Sequence, residues 1–416
     1  MFNKLKPKSE FTRNVLTLMT GTTIAQAIPI AISPILTRIY TPEDFGLFAL
    51  YISIVSFIAI VITARYEMAI VLPKSDKEAI NIVALSIIIT FILVLITSIC
   101  LIVFKNEILN ILNAKSLGNL IFLIPISLLM AGLMQTFNYW SNRKEYFSTM
   151  SNSQIAQSVS VGIMQPVLGY FNFNSGLIIG NIIGRILSAY ILIDKFLKND
   201  KEKLKHINKK NIIVVMQKYK DFPLVNSLHA FSDIIRTSGS VMLISSFFGS
   251  SVLGFYALSL RALQVPIGII GSALGQVLYK KFTSIYNENE NLYPYVKKVV
   301  FKLFLIATPI FGTLFLIAPE LFAFVFGEKW RVAGEYSQIL IPYLFMNFII
   351  SPISNIPIII GKQKEIFFLA LIGNLLYVII ITIVHSLGIK ITLICLSSFM
   401  VIYYFYIFYW LYKNLK

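Results

Sequence analysis

Arg65 and Glu67 lie two residues apart inside GLFALYISIVSFIAIVITARYEMAIVL, residues 46–72, an otherwise apolar run. On the most lenient insertion scale, a charge at mid-membrane costs about 2.5–3.5 kcal/mol. Such groups face a bundle interior or a watery cavity rather than lipid. Three more arginines are placed alike: Arg185 in NIIGRILSAY, Arg236 in SDIIRTSGS and Arg261 in YALSLRALQVP. Asp233 stands three residues before Arg236, on the same helical face. Four guanidinium groups against two carboxylates leave the interior net positive, and an anion is the missing partner. Guanidinium binds phosphate through two parallel hydrogen bonds and stays charged when buried. Arg65, Arg185, Arg236 and Arg261 are therefore expected to hold a phosphate-bearing anion. Glu67 and Asp233 are candidates for ion coupling, because a carboxylate can gain and lose charge within a cycle. The competing reading is interhelical pairing and snorkelling toward helix ends.

A second chemistry lies in MSNSQIAQSVSVGIMQPVLGY, residues 150–170. Gln154, Gln157, Ser158 and Gln165 recur at near-helical spacing, which gives one face amides and a hydroxyl suited to hydrogen-bonding a sugar. The plainer alternative is helix–helix contact through small polar groups, worth about 0.6 kcal/mol each. The sequence contains no G-x-x-x-x-G-K-[ST], no H-E-x-x-H and no G-x-S-x-G. Catalysis would have to come from the intramembrane charges alone, so no enzyme is expected. Cys100, Cys395, His206, His229 and His385 are scattered and form no metal or disulfide pattern. No cofactor is expected.

These residues must be held by membrane helices. The 416 residues are 57% hydrophobic and 13% charged, against about 25% charged in a soluble domain. Apolar blocks and breakers predict twelve spans, at 15–37, 46–72, 80–103, 117–139, 149–170, 175–196, 222–248, 254–278, 300–325, 339–360, 366–386 and 391–412. The first is read as an uncleaved span, because its apolar stretch is longer than the roughly 7–15 residues of a signal peptide.

A net charge of +17 on a soluble chain would suggest nucleic acid. The distribution points to a membrane instead. Between spans, only Arg38, Lys105, Lys115, Lys329, Arg331 and Lys390 fall on one side, and all other interspan lysines and arginines fall on the other. The positive-inside rule puts the rich side, with both termini, in the cytoplasm. No nucleic-acid partner is expected.

The basic stretch 197–221 reads as a cytoplasmic linker near anionic head groups, with Ile212–Met216 lying flat on the membrane. It divides the chain into an N-terminal six-helix bundle, 1–196, and a C-terminal one, 222–416. The halves echo each other. Phe45-Gly46-Leu47-Phe48-Ala49-Leu50 matches Leu253-Gly254-Phe255-Tyr256-Ala257-Leu258, at the start of spans two and eight. Asn142-Arg143-Lys144-Glu145-Tyr146-Phe147 matches Lys362-Gln363-Lys364-Glu365-Ile366-Phe367, between spans four and five and spans ten and eleven. Repeats of equal orientation place substrate between the halves.

The opening SEFTRNVLTLMTGTTIAQAIPIAISPILTRIYTPEDFGLFALY, together with ARYEMAIVLPKSDKEA, YKDFPLVNSLHAFSD, GFYALSLRALQVPIGIIGSALGQVLY and VFGEKWRVAGEYSQIL, resembles the Wzx-type polysaccharide flippases. These export O-antigen or capsule repeat units and belong to the multidrug/oligosaccharidyl-lipid/polysaccharide exporter superfamily. The resemblance implies an all-α membrane fold of twelve helices in two six-helix bundles around a central cavity. It implies an undecaprenyl-pyrophosphate-linked oligosaccharide as substrate, gradient-driven transport and residence in the bacterial cytoplasmic membrane. The implied partners are membrane lipids and the polymerase and chain-length proteins of the same pathway. The rival readings are a multidrug extruder, whose organic cations would want an acidic cavity, and a membrane polymerase or acyltransferase.

Overall fold

The computed structural model describes residues 10–223 and 227–415, and every regular element among them is helical. The chain forms two compact units, Met1–Tyr40 with Leu50–Ile234, and Thr41–Ala49 with Ile235–Lys416.

The first unit contains α1 (Glu10–Ile39), most of α2 (Pro42–Ala59), α3 (Asp76–Val103), α4 (Lys105–Ile111), α5 (Ile124–Arg143), α6 (Phe147–Tyr170), α7 (Gly176–Asp200), α8 (Lys209–Lys218) and α9 (Ser227–Ile234). α6 packs against α1 and α7, and α5 against α3 and α7. Two glycines on α7, one turn apart, allow the close α6–α7 contact. A side chain at Gly180 would meet Gln165, and one at Gly184 would meet Val161 and the Gln157 carbonyl. Along α3, Ile88, Ile92, Leu95, Ile99 and Ile102 are exposed at helical spacing, while Ile82, Ser86 and Thr90 are buried. An apolar stripe of that length is the face a membrane covers.

The second unit contains α10 (Ser240–Phe248), α11 (Ser250–Asn287), α12 (Leu292–Phe326), α13 (Arg331–Ile350), α14 (Ile356–Ile359), α15 (Gln363–Val384) and α16 (Ile389–Leu415), and the first residues of α2 group with it. α13 is its centre, packed on α11, α12 and α16. Among the described residues, nine helices are long and apolar enough to cross a membrane. α6, the α9–α10 segment and α11 fall outside that set. They carry the glutamine face, Arg236 and Arg261.

The second predicted span differs most from expectation. Residues 46–72 are not one helix: α2 stops at Ala59, and Tyr66–Val71 forms a short 3-10 helix. Ile60-Val61-Ile62-Thr63 is a β-branched run, which lowers helix propensity. Ala64 and Arg65 then take left-handed φ values of 47° and 62°. The freed carbonyls find side-chain donors: Gln135 Nε2 reaches the Ala59 oxygen at 3.3 Å and Thr90 Oγ1 the Ile62 oxygen at 3.3 Å. Irregular backbone at membrane depth persists only where protein or a cavity satisfies it.

The basic linker is ordered and bolted to α3. Asn81 donates to the His206 carbonyl at 3.1 Å and accepts from the Asn208 N–H at 3.0 Å. Glu78 accepts from Lys218 at 2.5 Å and from the Tyr219 hydroxyl at 2.9 Å, and the Tyr66 hydroxyl donates to the Met216 carbonyl at 3.0 Å. Arg143 closes the same end of the unit. Its guanidinium donates to the Ile70 and Pro73 carbonyls, at 3.2 and 2.6 Å, and to Asp76 at 3.1 Å. Lys144 joins Asp76 at 2.6 Å. Partial burial pulls the Lys144 ammonium down, but the Asp76 carboxylate outweighs this and holds it above the ordinary lysine value.

Candidate functional site

The break after α2 builds a polar cluster within the first unit. Glu67 is 1% exposed and accepts a short hydrogen bond from the Thr63 hydroxyl. Arg65 Nη1 stands 3.8 Å from Glu67 Oε1, while Arg65 Nε is buried with no hydrogen-bond partner. Left-handed backbone at a residue with a side chain costs about 1–3 kcal/mol and persists where its surroundings enforce it. Here it turns Arg65 and Glu67 into the same neighbourhood. α5 supplies facing groups: Gln135 lies 3.5 Å from the Thr63 hydroxyl and Tyr139 is within electrostatic reach of both charges, while on the same helix the Asn138 side-chain oxygen is buried without a partner. Gln135, Asn138 and Tyr139 recur at three- and four-residue spacing, so they share a helix face.

Arg185 has different neighbours. Its Nε donates to Asn181 Oδ1 at 3.0 Å, one turn back on α7. Tyr51 is within electrostatic reach, and its hydroxyl sits 2.7 Å from Ser127 Oγ. Among the described residues no carboxylate pairs with this guanidinium, so its charge is held only by neutral groups.

Arg236 occupies the second unit in a comparable way. It lies in a π-helical turn, Ile235–Gly239, between α9 and α10. π-turns insert one residue into a helix and are frequent at functional sites. Arg236 hydrogen-bonds the Tyr343 hydroxyl, with Tyr377 and Tyr404 also within electrostatic reach. Tyr343 and Tyr404 stack with ring centroids 6.0 Å apart. The Tyr404 hydroxyl donates to Asn347 Oδ1 at 3.1 Å, and the Tyr256 and Tyr377 hydroxyls lie 3.3 Å apart. Phenol oxygens accept from a guanidinium without cancelling its charge.

The remaining predicted residues are more dispersed. Arg261 is half-buried on α11, and Asp233 is exposed in the last turn of α9. On α6, Gln154 accepts from the Thr22 hydroxyl at 2.9 Å. Gln165 is 1% exposed and donates to the Leu177 carbonyl at 2.8 Å, so its amide holds α7 to α6. Gln157 and Ser158 are half-buried on the same helix. Arg65 and Glu67 are thus brought together, whereas Arg185 and Arg236 each have their own polar surroundings. The sequence reading did not single out Gln135, Asn138 and Tyr139, although their helical spacing in an apolar run was a usable signal. It also passed over Tyr51, Tyr343, Tyr377 and Tyr404, whose convergence needs the fold.

These helices and their half-buried cations define an all-α, multi-pass integral membrane protein. The chain belongs to the polysaccharide biosynthesis protein family, whose match spans residues 35–335. Among curated relatives, it is 21% identical over 373 residues to the succinoglycan biosynthesis transport protein ExoT of Rhizobium meliloti (strain 1021), covering 87% of this chain and 72% of that one. It is 21% identical over 257 residues to the teichuronic acid biosynthesis protein TuaB of Bacillus subtilis (strain 168), covering 60% of this chain. That match spans only about half, 51%, of the Bacillus protein. Its fold is that of the lipid II flippase MurJ in an inward closed conformation, with a TM-score of 0.78 at 15% identity over 96% of this chain and 89% of MurJ. The exporter-superfamily resemblance read from the sequence agrees with these similarities.

Proposed function

We propose that the protein is a flippase for oligosaccharide repeat units linked to undecaprenyl pyrophosphate. The observation that carries this reading is a pair of half-buried arginines, Arg185 and Arg236, whose described contacts are amide and phenol groups. Burying a charge is costly unless it is paired, so an anion is the natural complement. In this reading the pyrophosphate engages Arg65, Arg185 and Arg236, with Arg261 assisting. The sugars meet the α6 face of Gln154, Gln157 and Ser158, with Gln165 behind it, and the polyprenyl tail stays in lipid. The segments 1–196 and 222–416 act as the two rocking halves, joined by 197–221, and the site opens to each side in turn. Glu67 and Asp233 are the coupling candidates. The lysine and arginine bias supports a cytoplasmic-membrane protein with both termini inside. Polymerase and chain-length proteins would receive the product. The names of the succinoglycan and teichuronic acid relatives and the MurJ-like fold support a transporter of lipid-linked sugar rather than an enzyme.

The test is complementation of a host that lacks its own flippase. Arg65→Ala and Arg236→Ala are each expected to abolish surface polysaccharide while leaving membrane levels of the protein near normal. Wild-type polysaccharide from both variants would refute the anion site.

A further inference from the structure

α3 begins at the basic end of the first unit, beside Asp76 and Arg143, and runs 28 residues before α4 follows at its far end. At about 1.5 Å per residue that is the thickness of a membrane with its head groups. The far end is poor in cations, yet Lys105 and Lys115 line one cavity of about 480 Å³ there, with Asn106, Leu109, Asn110 and Gly118.

Four features of this cavity suit an anion at a lipid interface. Lys105 is pre-positioned: its ammonium donates to Asn119 Oδ1 at 2.6 Å and sits 5.3 Å from the Phe122 ring centroid. Neither lysine has a carboxylate partner among the described residues, and Glu107, the one carboxylate of α4, pairs with neither. By contrast, Lys390 and Arg331, which the sequence places on the same side, are held by Glu335 and by Glu320 and Glu328. Gly118 has φ 49° and ψ −124°, a conformation only glycine adopts readily, and a side chain there would project into open space. Finally, Val103, Phe104 and Ile111, at the end of α3 and along α4, and Phe122, beside the Lys105 ammonium, are exposed. Apolar groups bordering paired lysines and amides suit a head group whose acyl chains continue into the bilayer.

We propose that this cavity binds the phosphate of an anionic phospholipid in the leaflet on the cation-poor side. The asparagine amides hydrogen-bond the phosphate oxygens, the two ammonium groups neutralise the charge, and Phe104, Ile111 and Phe122 contact the first methylenes. Such a lipid fixes the α3–α4 corner at the level of the head groups. The site is separate from the buried arginines and stands whether or not they bind pyrophosphate.

The experiment is site-resolved amine labelling of the full chain in nanodiscs, using a membrane-impermeant acylating reagent read by peptide mass spectrometry. In phosphatidylglycerol, Lys105 and Lys115 are expected to label about fivefold more slowly than in phosphatidylcholine, the factor corresponding to one lysine–head-group attraction. Lys390, already held by Glu335, reports the general surface potential and should change much less. Lys115→Gln should restore labelling of Lys105 in phosphatidylglycerol. Equal labelling in both lipids, a matching fall at Lys390, or protection that persists in Lys115→Gln would each overturn the proposal. Equal protection by inorganic pyrophosphate in phosphatidylcholine would assign the site to free anions and overturn the lipid.

Discussion

Gly46 and Gly254 press together where α2 crosses α11, and the contact is reciprocal. A methyl on Gly46 would strike the carbonyl of Ser250, four residues before Gly254, and would lie 3.1 Å from the Gly254 nitrogen. A methyl on Gly254 would strike the carbonyl of Pro42, four residues before Gly46, and would lie 3.1 Å from the Gly46 nitrogen. Self-complementary contact of this kind is what a two-fold axis produces. The two glycines occupy the same place in the matched strings FGLFAL and LGFYAL.

Gly46→Ala and Gly254→Ala should therefore both destabilise the protein, by about 1–3 kcal/mol each, because neither backbone can yield without moving a helix. Gly275→Ala is the control: its methyl would be 3.9 Å from Pro352, an ordinary contact. Thermal unfolding of the three purified variants decides the matter. A neutral result at Gly46 or Gly254 would mean the crossing is looser than the geometry requires.

The break after α2 carries its own prediction, with a sign. Glycine within a helix costs roughly 0.5–1 kcal/mol relative to alanine. Ala64 has φ 47°, where glycine is the less strained residue. Ala64→Gly should thus leave stability unchanged or raise it by up to about 1 kcal/mol. A fall of that size in thermal unfolding would indicate that the helix continues through residue 64.

Arg143 should not tolerate lysine. Its fork reaches two carbonyls and Asp76 together, and a single ammonium cannot reproduce that arrangement. Lost hydrogen bonds to a charged group are worth about 1.5–3 kcal/mol. Arg143→Lys should lower thermal stability within that range, while Lys144→Gln, which leaves the fork in place, should lower it less. Limited proteolysis between residues 66 and 76 offers a second measure, since Arg143 ties down the end of that segment.

Most of the long helices were legible because hydrocarbon demands long apolar runs. The α2 break was not, since β-branched residues are ordinary in membrane helices and no proline or glycine falls between Ala59 and Arg65. Arg65, Arg185 and Arg236 stood out as charges in apolar text. Their neutral partners did not: Tyr343, Tyr377 and Tyr404 come from three helices, and no local pattern distinguishes them from interfacial tyrosines. Gln165 illustrates the reverse problem. It shares a polar face with Gln154 and Gln157, yet its amide is taken by the Leu177 carbonyl, which one-helix periodicity cannot reveal.

Asn138 offers a way to separate stability from transport. Its side-chain oxygen is buried without a hydrogen bond, as is Arg65 Nε. An unsatisfied buried acceptor costs about 1–3 kcal/mol, and replacement by an apolar group of similar shape is neutral or stabilising. Asn138→Leu should therefore keep or raise thermal stability. If the cluster opens during transport and Asn138 then gains a partner, the same variant should reduce surface polysaccharide in the complementation assay. Asn138→Asp, which keeps the acceptor but buries a charge, should lower both. A leucine variant with full transport would restrict Asn138 to packing, and one that unfolds more easily would show that its oxygen is already satisfied.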